Sequence, residues 1–182
     1  MAEIKSTLEL AMERTKRLAI SNEEKREIKR KEITQRATSF SSRYIDEHLS
    51  VSDILKEIER MEERTAIEVK KLLLSQWIGA LSLNGENERL LKGIGSLKDQ
   101  HRGVDDLKQR LFCLVSQYQR EKEDVEKEVS IRVIGALKRE GIYGSAVVPH
   151  IEEEELSKGK IEELKDKFEL TLNEIKEKLR DL

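Results

Sequence analysis

Apolar residues recur every three or four positions along most of this chain, which is the spacing of one face of an α-helix. The most regular example lies at the carboxyl end, where four apolar side chains also repeat every seven residues. The apolar residues of this segment are Ile161, Leu164, Phe168, Leu172, Ile175, Leu179 and Leu182. Because such a helix is stable only against a partner, the pattern predicts an amphipathic helix packed on another helix.

The same spacing, together with helix-start signals, divides the rest of the chain. Ser21 and Glu24 match a capping box, in which each side chain accepts a hydrogen bond from the other residue's backbone N–H. Ser50 or Ser52 offers a second start, and the heptad seam that follows lacks an apolar residue at Glu62. The predicted helices span residues 3–18, 22–48, 50–83, 88–92 and 104–140.

Glycines predict where the chain reverses. The pairs Asn84-Gly85 and Gly93-Ile-Gly95 are typical of helix stops and turns. We therefore expect a Gly-rich turn near residues 84–103. Through this turn, residues 104–140 would run back antiparallel to residues 50–83.

A short apolar stretch before the last helix lacks helical spacing. It begins at Gly141, which is expected to end the long helix in a Schellman motif, and it contains Pro149, the only proline. Its apolar residues are Ile142, Tyr143, Ala146, Val147, Val148 and Ile151. Two interpretations stay open: the stretch packs on the chain's own helices, which we favour, or it docks onto another protein. Gly159 predicts that the final helix is interrupted or begins late.

These elements predict an all-α, elongated helical bundle, with an antiparallel coiled-coil hairpin and a short extended connector before the C-terminal helix. The expected segments are N-terminal helices (1–49), the long hairpin (50–140), the apolar connector (141–151) and the C-terminal amphipathic helix (152–182).

Composition supports a thin helical assembly rather than a thick core. Charged residues make up 40% of the chain and aromatic residues only 4%, whereas about 25% charged residues is usual. The 35 basic and 37 acidic residues nearly balance, and the apolar residues are periodic, so disorder of the whole chain is disfavoured. The apolar faces exceed what one thin hairpin covers, so we expect a dimer.

No residue pattern predicts catalysis, a metal site or a cofactor. His48, His101 and His150 are far apart in sequence, and the single cysteine, Cys113, is expected to be a partly buried, inert thiol. The start of the chain has no signal-peptide pattern, and no apolar run approaches the ~18 residues that cross a bilayer. We expect a cytoplasmic protein that is not an enzyme.

A basic segment is the candidate for nucleic-acid binding. Residues 25–31 contain Lys25, Arg26, Lys29, Arg30 and Lys31 and one acid. Such clusters supply phosphate contacts. Glutamates flank the segment and no aromatic residue interleaves it, so a solvated helix face is the favoured interpretation.

The segments Ala2–Thr15 and Gly141–Pro149 resemble a family of uncharacterised bacterial helical proteins. The resemblance covers a small part of the chain and implies no activity.

The sequence therefore favours a non-catalytic scaffold, adaptor or assembly factor that acts through coiled-coil and helix-in-groove contacts. The expected partner is a second copy of the chain or another helical protein. The candidate contact residues are Ile142, Tyr143, Val147, Val148, Pro149, Ile151, Ile161, Leu164, Phe168, Leu172, Ile175 and Leu179. The alternative is a nucleic-acid-associated or regulatory protein that uses residues 25–31.

Overall fold

The computed structural model describes residues 21–98, 101–142, 144 and 155–182. All regular structure in these ranges is helical, which confirms the predicted all-α bundle. The helices are α1 (Asn22–Ile45), α2 (Val51–Glu59), α3 (Glu63–Ala80), α4 (Asn87–Leu97), α5 (His101–Arg139) and α6 (Glu155–Asp181). The helix predicted over residues 3–18 lies outside the described residues. None of the helices described here is long and apolar enough to cross a membrane.

Both predicted helix-start signals are confirmed. At the start of α1, the Glu24 backbone N–H donates to Ser21 Oγ at 3.1 Å, and the Ser21 N–H donates to Glu24 Oε2 at 2.7 Å. At the start of α2, Ser50 and Asp53 make the same reciprocal pair of hydrogen bonds. These caps depend only on neighbouring residues, so the sequence was sufficient to predict them.

The single helix predicted over residues 50–83 is wrong, because the chain turns between Glu59 and Glu63. The turn falls where the apolar seam lacks a residue, at Glu62, so bending there exposes no core side chain. After the turn, α3 runs parallel to α1: Lys29 lies opposite Glu62 at 3.0 Å, and Gln76 Nε2 donates to Thr38 Oγ1 at 3.1 Å. The short helix α2 returns the chain from the end of α1 to the start of α3.

We call helices α1–α4 the hub. Trp77 of α3 is fully buried where these helices meet. Its ring lies 4.6 Å from that of Tyr44. Gly93 lies against both rings: an added Cβ would lie 2.6 Å from the indole and 3.0 Å from Tyr44 Cε1. The turn predicted at Gly93 and Gly95 is therefore wrong: α4 runs through both residues, and Gly93 provides close packing rather than a helix stop.

The long helix α5 pairs antiparallel with α6, and we call this pair the arm. Leu182 lies beside Gly103, the Tyr118 and Phe168 rings are 5.6 Å apart, and Lys160 reaches Glu128. These contacts correct the predicted hairpin, in which α5 would run back along residues 50–83. The C-terminal helix offers α5 a longer continuous apolar face than α3, whose own face is used by α1 and α4.

Two predicted helix ends on the arm have different outcomes. The Schellman motif is confirmed at Gly141, which has a φ of 82°. The Gly141 N–H donates to the Lys138 carbonyl at 3.2 Å, and the Ile142 N–H donates to the Leu137 carbonyl at 2.9 Å. The interruption predicted at Gly159 is wrong, since α6 runs through that residue.

Cations join the hub to the arm at the carboxyl ends of helices. Lys176 of α6 donates to the Gly79 carbonyl at 3.2 Å, at the end of α3, which has no basic residue in its own last turn. Lys98, which follows α4, donates to the Leu179 carbonyl at 2.6 Å, near the end of α6. Burial lowers the pKa of both lysines. These hydrogen bonds satisfy carbonyls that a helix end leaves without an intrahelical partner.

Gly93→Ala should lower the free energy of unfolding by about 1–3 kcal/mol, because the new methyl group has no room against the Trp77 ring. The matched control is Gly95→Ala in the same helix, where the new Cβ would meet Val104 Cγ1 at an ordinary 3.7 Å. That change should be neutral or stabilise the fold by up to about 1 kcal/mol. Urea unfolding of both variants measures the difference, and equal shifts would contradict the packing role of Gly93.

Tyr44 should make the hub sensitive to high pH. Burial raises the pKa of its phenol, with a smaller opposing effect from the Arg89 guanidinium. Because the folded pKa lies above the unfolded one, this stabilisation is complete below the unfolded pKa and is lost as the pH rises through the folded pKa. Urea unfolding from neutral pH to about pH 11 should show a smaller alkaline loss of stability in Tyr44→Phe than in the wild type. Identical alkaline losses would rule out this role.

Candidate interaction site

The basic segment predicted from the sequence lies in the first turns of α1. Every residue from 21 to 32 is exposed. The start of α3 lies beside Lys29 of α1, because Lys29 forms an ion pair with Glu62. The start of α1 therefore extends beyond α3 and carries the basic segment on a helix surface that is open to solvent.

A groove of about 770 Å³ separates the parallel helices α1 and α3 near this end. From the basic segment, Arg26, Lys29 and Arg30 line the groove, whereas Lys25 and Lys31 do not. The opposite wall contributes Arg64 and Lys71, which the sequence analysis did not single out. The remaining lining residues are Ile33, Thr34, Glu62, Thr65, Glu68 and Leu72.

The base of the groove is apolar and fixed. Ile33 is buried and Leu72 is half-buried between the helices. The Thr34 hydroxyl donates to the Arg30 carbonyl at 2.9 Å. The charged side chains therefore stand on rigid helical walls, and they are the groups that an incoming ligand would meet.

The groove carries an excess of positive charge. Its lining has five basic residues and two acidic ones, Glu62 and Glu68. Lys29 pairs with Glu62 at 3.0 Å, and Arg64 pairs with Glu68 at 3.9 Å. The other three cations are left without a carboxylate within ion-pair distance in the part of the chain that the structure describes: Arg26, Arg30 and Lys71.

The start of α3 adds to this field. Its first residues lie in the groove, and the side chain of the N-cap residue Glu62 makes no capping hydrogen bond. The amino end of a helix carries a partial positive charge from its aligned peptide dipoles. The groove is thus suited to hold an anion. No aromatic side chain lines it, so it offers no surface for stacking a base.

The C-terminal candidates for protein contacts lie inside the arm. Phe168, Leu172, Ile175 and Leu179 are buried, and Ile161 and Leu164 are half-buried. Because α6 uses this face against the chain's own helices, the four buried residues do not form a free docking surface.

The connector candidates fall mostly outside the described residues. These are Tyr143, Val147, Val148, Pro149 and Ile151. Ile142 is described, and 49% of its surface is exposed. Docking by the connector therefore stays a prediction.

Cys113 is exposed on α5, so the predicted partial burial is wrong. The apolar seam of α5 passes through the neighbouring buried residue Leu111, and the thiol lies off that seam. Among the residues with described side chains, no group of three or more His, Cys, Asp or Glu residues is placed to hold a metal ion.

Comparisons with protein-family models, with curated proteins and with solved structures found no match to this chain. The resemblance of two short segments to a family of uncharacterised bacterial helical proteins therefore stays a prediction.

The Cys113 thiol should react with a maleimide in the folded protein about as fast as in the urea-unfolded chain, because it is exposed. The matched control is Leu111→Cys in a Cys113→Ser background, which places a thiol at a fully buried position two residues earlier. That thiol should react only on unfolding. Protection of Cys113 in the native protein would contradict its exposed position.

Proposed function

We propose that this chain is a non-catalytic helical scaffold or adaptor that works through the outer arm. We use this name for α5 beyond Tyr118 and the part of α6 that precedes Phe168. The observation that carries the proposal is the incomplete cover of apolar residues there. Two packed helices bury one stripe on each helix and leave the flanks of both open. A third helix, from a second copy or another protein, would complete the cover.

The apolar residues of the outer arm support this view. Among the described residues beyond Tyr118 on α5, Val129 is the one apolar side chain that is fully buried. Several others on α5 and α6 are only half-buried, although they are large and apolar. They are Val125, Val133, Ile134, Leu137, Ile161 and Leu164.

A second copy of the chain is the first partner to test. Light scattering on the purified protein should give twice the 21.2 kDa mass of the monomer. Ile134→Asp places a charge on the half-buried flank and should shift the mass to that of the monomer, because an unpaired charge is costly to bury in an interface. The matched control is Ala136→Asp on the exposed side of the same turn, which should keep the dimer.

Circular dichroism should show equal helix content in both variants. A wild-type protein that stays monomeric at all concentrations would overturn self-association. Equal dissociation of the two variants would remove the flank from the proposed interface.

A further inference from the structure

We propose that the groove between α1 and α3 binds the phosphate backbone of nucleic acid without reading its sequence. This role is independent of the arm and goes beyond the scaffold function. It rests on the three-dimensional groove rather than on the linear basic segment. The two make different predictions, because the groove takes only part of that segment and adds residues from α3.

Cations stand on both walls of the groove. Arg26 and Arg30 stand on one wall, and Lys71 stands on the other. In the part of the chain that the structure covers, none of the three has an acidic partner within ion-pair distance. A guanidinium can bind two phosphate oxygens at once, and a lysine ammonium acts as a point charge on the same group. Opposing walls can therefore hold one strand of phosphates between them.

The two paired cations also remain available to a phosphate. Lys29 and Arg64 are 53% and 85% exposed, and their glutamate partners are exposed as well. Ion pairs in water contribute only about 0–1 kcal/mol. A phosphate, which carries charge and strong acceptor oxygens, can replace either glutamate as the partner. All five basic residues of the groove can then contribute to binding.

The spacing of the basic residues favours a row of phosphates over a single small anion. Arg26 and Arg30 are one helical turn apart, about 6 Å along α1. Arg64 and Lys71 are two turns apart, about 10 Å along α3. The positive charge thus follows the groove instead of converging on one point. A nucleic-acid backbone presents negative charge at regular intervals along such a path.

The lining also indicates which part of the nucleic acid is bound. The groove contains no aromatic residue for stacking, and no Asn or Gln that could form a bidentate contact with a base. Contacts to phosphates position a nucleic acid and carry no sequence information. We therefore expect similar affinities for unrelated sequences.

Fluorescence anisotropy with a labelled 20-base-pair DNA duplex tests the proposal. For three to five phosphate contacts, the logarithm of the binding constant should fall with the logarithm of salt concentration with a slope of about −3 to −4.5. Arg30→Glu/Lys71→Glu changes one residue on each wall, and should weaken binding at least about tenfold and reduce the slope by about 2.

The matched control is Lys25→Glu/Lys31→Glu, which makes the same charge change in the basic segment but outside the groove. At about 0.15 M salt the screening length is about 8 Å, so the control should weaken binding less than about threefold. Both variants should keep the helix content and urea midpoint of the wild type.

Three results would overturn the proposal. The first is no binding of the duplex at about 50 mM salt. The second is an equal loss in the two variants, which would assign binding to the linear charge run. The third is displacement of the duplex by polyglutamate at equal charge concentration, which would indicate an acidic protein partner. None of them bears on the mass of the particle measured by light scattering, so failure here is distinguishable from failure of the scaffold proposal.

Discussion

Three helix carboxyl ends meet in this fold, and each is capped by a cation from outside its own helix. Arg89 of α4 donates to the Tyr44 carbonyl of α1 at 2.6 Å, and its guanidinium lies 4.7 Å from the Tyr44 ring centre. Lys176 and Lys98 cap the ends of α3 and α6 in the same way. Helix ends leave carbonyls unpaired and concentrate negative partial charge. These cations satisfy such carbonyls and offset the negative partial charge at the three helix ends.

The parts of this fold that the sequence predicted are those set by neighbouring residues. The capping box at Ser21 and the Schellman motif at Gly141 involve residues within one or two turns, so the sequence contains all of their geometry. The sequence predicted a helix stop at Gly93 because glycine commonly ends helices. Its real role is set by Trp77, a residue from another helix. The pairing of α5 with α6 was missed for the same reason, since an amphipathic face does not identify its partner.

One wall of the candidate groove was predictable from the sequence, and the other wall was not. Arg26, Lys29 and Arg30 were found because basic residues cluster in sequence. Arg64 and Lys71 were missed because they face that cluster only if α1 and α3 run parallel, and Lys29 and Glu62 are 33 positions apart. That arrangement depends on the turn between α2 and α3, which a continuous heptad reading of residues 50–83 conceals. Interpreting the missing apolar residue at Glu62 as a bend would have predicted the second wall of the groove, with Arg64 and Lys71.

The hydrogen bonds that Lys176 and Lys98 make between the hub and the arm affect how the molecule unfolds. Removing α6 takes the Lys176 ammonium from the end of α3 and leaves Lys98 without the Leu179 carbonyl. The hub and the base of the arm should therefore melt as one cooperative unit, with amide protons that exchange only on global opening. Among the described residues, the outer arm has few fully buried side chains and no such link, so its amides can exchange through local opening. A partner that closes over the outer arm would join the two units into one.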